Sequence, residues 1–103
     1  MINRQRPATP GQVLLTKYLE PRAISQTALA VHTGWTRKHV NQICHGKTTI
    51  TPEAALILAR VLGTEAELWL RLQQDVDLWD AMHTPERIER INRAQPLQKF
   101  QAA

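Results

Sequence analysis

The sequence predicts an all-α fold of five helices followed by a short extra helix, and three observations carry this prediction. Thr followed by Pro occurs at Thr9-Pro10, Thr51-Pro52 and Thr84-Pro85, and the pair favours a helix start because Thr caps a helix and Pro suits its first position. Apolar residues then recur at helical spacings of three and four. Gly46 and Gly63 follow two of these segments, where glycine commonly ends a helix. A chain of 103 residues is long enough for one modest core.

Charge is divided unequally between the two halves of the chain. Residues 1–50 carry seven Lys or Arg against one Glu, whereas residues 51–103 carry six against eight acidic residues. A basic half raises the encounter rate with a polyanion, although its sign alone does not separate DNA from RNA or an acidic protein. The single cysteine excludes an internal disulfide, and no apolar run is long enough for a signal peptide or a membrane span. We therefore expect a cytoplasmic protein with no membrane contact.

Residues 25–47 are predicted to form two short helices joined by a tight turn. Ser25 and Thr36 are the expected N-caps, and Gly34 supplies the positive φ that a tight turn needs. Trp35 is either a core residue or a base-stacking surface, and its place beside the inward face favours the core. This order is that of the helix-turn-helix motif, whose second helix lies in the major groove of DNA while the first crosses the backbone.

The second helix of this motif has two distinct faces when projected at 3.6 residues per turn. Val40 and Ile43 share the inward face, and cations and amides occupy the opposite one. Arg and Lys pair with guanine and Asn and Gln with adenine, and each good pair discriminates by about 1–3 kcal/mol. An ordinary solvated face has a similar composition, but the preceding cap and turn favour a reading helix. The expected base contacts are Arg37, Lys38, Asn41 and Gln42.

The segment after this helix, residues 45–48, combines a glycine with a lysine and threonine. Glycine here stops the helix, and the following backbone amides and lysine suit contact with phosphate, which positions a protein without reading sequence. Both roles are compatible at Gly46.

More apolar residues occur after Gly63 than one small core needs. The predicted fifth helix opens with a capping box at Thr64 and Glu67, and its apolar stripe consists of Leu68, Leu72, Val76 and Trp79. Surplus apolar surface suggests an interface, although Trp69 and Trp79 alternatively complete the core. A sixth helix from Pro85 is too short to stand alone, so it docks on its own domain or on a second subunit. The expected dimer or partner interface is Trp69, Leu70, Leu78, Trp79, Ile88 and Ile91.

No arrangement of residues suggests catalysis. The four histidines and Cys44 show no metal-ligand spacing, and no phosphate-binding glycine loop, nucleophile elbow or pair of catalytic carboxylates is present. We expect no catalytic residue, no metal site and no cofactor.

Two stretches of the chain resemble a known family. The order S-Q-T-A-L-A and then T-R-K-H-V-N-Q-I-C-H-G-K-T-T-I-T-P in residues 25–52 resembles the Cro/repressor-like (XRE) helix-turn-helix family. Downstream, the T-P-E helix opening, the L-G-T turn at residues 62–64 and the W-L-x-L-Q-x-x-x-D-L segment at residues 69–78 are similar to its HigA/VapI antitoxin branch. The likeness covers about residues 10–79.

The resemblance implies a compact lambda-repressor-like helix-turn-helix domain and a function. The expected protein is a dimeric, sequence-specific autorepressor that binds a palindromic operator in double-stranded DNA and neutralises a cognate HigB-like ribonuclease toxin. One alternative is a solitary repressor of the same fold with no toxin. Another is a protein-interaction module with a helix-turn-helix scaffold, which the reading face and the basic first half disfavour.

The resemblance also implies roles for single residues, while the composition of the two ends of the chain predicts the domain boundaries. In repressor members of the family, the positions of Arg37, Lys38 and Gln42 read bases, and those of Gln26 and Lys47 touch phosphate. The expected phosphate contacts are Gln26, Thr36, His45, Lys47 and Thr48. Residues 1–8 are a flexible N-terminal arm, frayed or touching phosphate or the minor groove with its arginines, Arg4 and Arg6. Residues 9–82 form the DNA-binding domain, and residues 83–103 form the C-terminal helix and a loose tail.

Overall fold

The structure is a computed structural model that describes residues 5–97, and over this range it is helical with no strand. The predictions of a flexible segment at residues 1–4, including Arg4, and of a loose tail at residues 98–103 fall outside the described residues. The five predicted helices and the extra C-terminal helix are confirmed. The helices are α1 (Pro10–Val13, continuing as a π-helix over Leu14–Leu19), α2 (Gln26–Thr33), α3 (Arg37–Cys44), α4 (Pro52–Leu62), α5 (Ala66–Met82) and α6 (Pro85–Arg93).

Side-chain caps start the first four helices as the sequence predicts. Thr9 accepts a hydrogen bond from the amide of Gln12, and the Gln12 side chain accepts one from the amide of Thr9, which completes a capping box. Each of the other caps accepts from the amide three residues later, so that one free N–H at the helix start is satisfied. These caps are Ser25, Thr36 and Thr51.

The π-helical segment of α1 brings two core leucines onto one face. Leu14 and Leu19 are five residues apart and are 0% and 1% exposed. Five residues of an α-helix would separate two side chains by about 140°, whereas the wider turn aligns them. The amide of Glu20 accordingly donates to the carbonyl of Leu15, five residues before it.

One hydrophobic core lies between α1, α2, α3, α4 and the first half of α5. Its most deeply buried large side chains come from all five helices, so no helix of this group is peripheral to the fold. They are Leu14, Leu19, Leu29, Val40, Ile43, Leu58 and Trp69. Trp35 is half-buried and packs against this core, and its ring meets His39 edge-on at 5.0 Å.

The start of α5 differs from the prediction in two respects. The side chain of Trp69 is 0% exposed, so its prediction as an interface residue is wrong: the apolar seam of α5 runs through Trp69 and Val76 rather than beginning at Leu68. The Trp69 indole N–H donates to the Thr64 hydroxyl at 2.8 Å. The predicted capping box at Thr64 and Glu67 is also wrong, because that hydroxyl serves the indole and the N-cap is Glu65 with no side-chain bond.

The second half of α5 and α6 form a separate feature, the C-terminal hairpin, which we define as residues 77–93. Helix α6 packs on α5 and contributes no buried residue. Its start at Thr84 carries no side-chain cap, because the Thr84 hydroxyl donates instead to the carbonyl of Asp80. Of the remaining predicted interface residues, Leu78 and Ile91 are more than half exposed, and Leu70, Trp79 and Ile88 are half-buried.

Candidate nucleic-acid interface

The turn between α2 and α3 has the geometry that the sequence predicts. Gly34 has a φ of 80°, and its amide donates to the carbonyl of Ala30 at the end of α2. The amide of Trp35 then donates to the Thr33 hydroxyl. Because these bonds satisfy the backbone within the turn, α3 leaves α2 in a fixed direction with its first residue, Arg37, directly after the turn.

Helix α3 buries one side and exposes the other. Val40 and Ile43 are 0% and 2% exposed, as the projection predicts. Arg37, Lys38 and Asn41 are exposed and Gln42 is half-buried. The structure therefore presents the four candidate base contacts on the outer side of α3.

The cations of this surface are electrically uncompensated. Within residues 5–97, Arg37, Lys38 and Lys47 take part in no ion pair. Each retains its full attraction for an anion, and a phosphate backbone would meet donors that no carboxylate of the chain already occupies.

A hydrogen bond joins α2 to the reading face of α3. The Asn41 side-chain amide donates to the side-chain oxygen of Gln26 at 3.2 Å. This bond leaves Asn41 with one N–H and its oxygen, the two groups needed to pair with adenine. It also leaves the Gln26 amide group free to donate to a phosphate. Gln26 can thus orient a candidate base contact while it touches the backbone itself.

Two of the predicted phosphate contacts stand at helix N-termini: Gln26 is the first residue of α2, and Thr36 is the N-cap of α3. Thr36 accepts from the amide of His39, which uses its oxygen and leaves its hydroxyl proton available to donate. Helix N-termini carry partial positive charge and favour phosphate groups. The predicted phosphate contacts Gln26 and Thr36 therefore occupy suitable positions.

The loop between α3 and α4, residues 45–51, carries the other three predicted phosphate contacts. Gly46 has a φ of 68°, and Lys47 is exposed while Thr48 is half-buried. The His45 ring bends back, so that its Nδ1 donates to the carbonyl of Asn41 at 2.9 Å. Only Nε2 of that ring is then free to approach a phosphate.

Glycine at position 11 allows α1 to touch the end of α3. A Cβ atom at Gly11 would lie 1.9 Å from the carbonyl oxygen of Ile43 and 2.8 Å from that of Cys44. Both obstacles are backbone atoms, which cannot rotate away as a side chain does. Cys44 is itself buried, and this burial raises the pKa of its thiol. The close approach of α1 to the end of α3 therefore requires glycine at position 11.

Two contacts that the sequence reasoning missed join this region to α5. The guanidinium of Arg6 binds both carboxylate oxygens of Asp80 at 2.8 and 2.9 Å, so Arg6 of the predicted arm is held against α5. This bond lowers the pKa of Asp80. The side-chain oxygen of Gln73 accepts from the amide of Ile50 at 2.9 Å. The partners are 74 and 23 residues apart in the sequence, so no pattern of neighbouring residues predicts either pair.

A cleft of about 200 Å³ lies between these contacts and the loop. Arg6 and Lys47 contribute cations to its lining, and Asp77 and Asp80 contribute carboxylates. The opposite charges inside it make it unlike a phosphate site. Within residues 5–97 no group of three or more His, Cys, Asp or Glu could hold a metal ion, and no helix has the length and apolar content to cross a membrane.

Comparison with known proteins identifies the family. The model of the helix-turn-helix family HTH_3 matches residues 15–69. The HTH-type transcriptional regulator YbaQ of Escherichia coli K12 is 38% identical over 90 residues, which are 84% of this chain and 80% of YbaQ. The antitoxin HigA-1 of Vibrio cholerae is 39% identical over 77 residues, which are 75% of this chain and 72% of HigA-1. The chain belongs to the helix-turn-helix family of HigA-type antitoxins.

A solved structure extends this likeness to three dimensions. Pseudomonas aeruginosa antitoxin HigA, solved with the higBA promoter, superposes with a TM-score of 0.80 at 28% identity, covering 91% of this chain and all of that one. The all-α helix-turn-helix fold, with helices before and after the motif, is therefore common to this chain and a HigA antitoxin on DNA.

Proposed function

We propose that this HigA-type chain is a dimeric autorepressor that reads a palindromic operator with α3 and neutralises a cognate HigB-like ribonuclease toxin. The observation that carries the proposal is the outer face of α3, where two cations with no ion-pair partner among residues 5–97 and two amides follow a capped turn. The P. aeruginosa HigA solved with promoter DNA supports this use of the fold. The protein acts in the cytoplasm, where its operator lies.

Base reading is assigned to Arg37, Lys38, Asn41 and Gln42, and phosphate contact to Gln26, Thr36, His45, Lys47 and Thr48. Lys47 stands on a loop outside α3, at a glycine-stopped helix end, which suits a contact that positions the protein without reading bases. The domain boundaries at residues 9 and 82 are part of the same proposal.

Binding to duplexes from the chain's own promoter tests these roles. Arg37→Ala and Gln42→Ala should reduce the preference for the operator over a scrambled duplex, by about 1–3 kcal/mol for each lost base contact. Lys47→Ala should weaken both duplexes alike and lower the salt slope by about 1. Arg90→Ala on α6 removes one exposed cation as the control. Equal losses and an unchanged preference in all variants would contradict the assignment.

Dimerisation is assigned to the C-terminal hairpin. Leu78, Met82 and Ile91 are 54%, 62% and 53% exposed, and together they offer an apolar surface on a part of the chain that the main core does not need. A second copy of the chain would cover this surface under two-fold symmetry. Two copies could then place their α3 helices about 34 Å apart, on successive major-groove turns.

A search for a protein partner distinguishes an antitoxin from a solitary repressor that has no toxin. The antitoxin function predicts that the chain forms a stable complex with a small basic protein encoded beside it and suppresses that protein's ribonuclease activity. The relative YbaQ is named as an uncharacterized HTH-type transcriptional regulator, with no toxin in its name, which is compatible with the alternative. Operator binding together with the absence of both a neighbouring toxin and a co-purifying protein would favour a repressor without a toxin.

A further inference from the structure

Gln73 and Asp77 lie four positions apart on α5 and form a polar pair on a helix whose buried residues are apolar. They are not part of the apolar seam, and Gln73 lies before the C-terminal hairpin begins. Gln73 is half-buried, and its amide nitrogen donates to Asp77 at 3.0 Å while its oxygen accepts from the amide of Ile50. The polar pair therefore reaches from α5 to the loop between α3 and α4.

This bond adds a backbone restraint to the end of the loop, where the Ile50 side chain is already packed in the hydrophobic core. The loop begins with two helix-end bonds, from the amide of Gly46 to Ile43 and from that of Lys47 to Gln42, and it ends at the cap Thr51. Between them, the bond from Ile50 to Gln73 is the one hydrogen bond of the described residues that ties the loop backbone to α5. Ile50 is 5% exposed, so without Gln73 its amide would be a poorly hydrated, unpaired donor.

The Asp77 carboxylate determines which way the Gln73 amide faces. A carboxylate only accepts hydrogen bonds, so it takes the amide nitrogen and turns the Gln73 oxygen toward the loop. With the amide reversed, nitrogen would face the N–H of Ile50 and oxygen would face the carboxylate, and neither pair can form a hydrogen bond.

We infer that Gln73, oriented by Asp77, is a positioning residue for DNA binding, because it holds the loop that presents Lys47 and Thr48 to phosphate. This inference rests on the proposed phosphate role of that loop. It assigns a part in DNA binding to α5, a helix that lies outside the helix-turn-helix motif. Gln73 itself touches no DNA and acts through the loop.

Replacing Gln73→Met keeps the length of the side chain and removes both hydrogen bonds. Affinity for operator and scrambled duplexes should fall alike by about three- to tenfold, as expected for one lost hydrogen bond. The salt slope should become shallower, because fewer phosphates are held. Gln74→Met is the matched control, since Gln74 is an exposed neighbour on the same helix, and it should bind DNA normally.

A double substitution distinguishes positioning from general damage to the fold. Gln73→Glu alone keeps an acceptor for Ile50 but sets two carboxylates against each other. Adding Asp77→Asn restores a donor opposite the introduced carboxylate, so the pair is rebuilt with its polarity exchanged. Affinity and salt slope should recover in the double variant, and failure to recover would overturn the inference.

Combination with Lys47→Ala separates this inference from the function on which it rests. If Gln73 acts through the loop, the losses from Gln73→Met and Lys47→Ala should be less than additive, because both remove the same contact. Additive losses, or normal affinity in Gln73→Met, would overturn the inference while the phosphate role of Lys47 stands. Normal affinity in Lys47→Ala would overturn the phosphate role first and the inference with it.

Discussion

Two tryptophans ten residues apart on α5 lie in very different surroundings. Trp69 is 0% exposed, and its indole N–H is bonded to Thr64. Trp79 is half-buried, and its buried indole N–H has no hydrogen-bond partner among the described residues. Its ring stacks on His83 instead, with the centroids 3.7 Å apart and the planes 10° from parallel.

The difference shows that the two halves of α5 pack against different parts of the protein. Its first half completes the core under the helix-turn-helix motif, where the chain satisfies its own groups. Its second half extends beyond that core and pairs with α6, leaving Leu78 and Met82 on the outside. A buried donor without a partner and exposed apolar side chains are both costly in an isolated chain. The exposed Leu78 and Met82 are what a surface covered by another molecule would show, whereas the buried indole N–H marks this end of α5 as less completely satisfied than the core.

Removal of each tryptophan should reveal the contrast most strongly. Trp69→Ala should lower the free energy of unfolding by about 3–5 kcal/mol, the range for deleting a buried aromatic side chain. Trp79→Ala should cost clearly less, because that ring is only half-buried. Urea unfolding at concentrations where the protein is monomeric measures both. Similar losses for the two variants would show that the C-terminal hairpin is as much a part of the core as Trp69.

A single methyl group at position 11 should also damage the core side of the molecule. Gly11→Ala places a Cβ against the Ile43 carbonyl, so α1 and α3 must separate, at a cost near the upper end of the roughly 1–3 kcal/mol range for overpacking. Operator affinity should fall as well, because α3 moves. Gly63→Ala is the control: its Cβ would meet no atom within 4 Å and only the φ of 74° opposes it. Unfolding curves that rank Gly63→Ala as the more damaging change would contradict the close packing of α1 on α3.

Charges on the hairpin should change assembly with little effect on the fold. Leu78→Asp combined with Ile91→Asp should yield a monomer by sedimentation, while the free energy of unfolding of the monomer changes by about 0.5 kcal/mol or less at each exposed site. Leu56→Asp alters an equally exposed leucine on α4, 63% accessible, and should leave the dimer intact. A double variant that still sediments as a dimer would place the interface elsewhere.

The Arg6–Asp80 pair should give the smallest effect, and one that depends on pH. Arg6 holds the pKa of Asp80 below its usual range, so the pair stabilises the fold above the unfolded-state pKa, near 3.9. This contribution is lost as pH falls through the lowered pKa of the folded state. Asp80→Asn should therefore lose about 1 kcal/mol or less at pH 7 and converge with the unaltered chain in acid. The exposed Asp75→Asn is the control, and an equal loss there would exclude a specific role for the pair.

Local chemistry made much of the fold predictable. The caps Thr9, Ser25, Thr36 and Thr51 bond to amides three residues away, so a short stretch of sequence contains both partners. The turn at Gly34 and the inward placement of Val40 and Ile43 follow from similarly short-range rules. For the same reason, the outer face of α3 could be specified residue by residue, although its contacts with bases remain a prediction.

The predictions that are wrong and the contacts that were not predicted have a common cause. Each depends on a tertiary contact, which a rule based on neighbouring residues does not include. Thr64 fits a capping box, but its hydroxyl is bonded to a buried indole. The predicted seam of α5 includes the buried Val76 but begins at Leu68 instead of Trp69. Both residues are apolar, and the packing of Trp69 on Tyr18, with ring centroids 5.4 Å apart, distinguishes them. The bonds from Arg6 to Asp80 and from Ile50 to Gln73 lie beyond any sequence pattern.

The hydrogen bond between Asn41 and Gln26 has a consequence for redesign of the operator preference. Within residues 5–97, the side chains of Arg37 and Lys38 are exposed and form no ion pair, so each can be exchanged alone with little effect on the fold. Asn41 is different, because its amide is shared with a residue on another helix. New specificities could therefore be introduced one position at a time at 37 and 38, but at 41 the two residues form a single unit that must be exchanged together.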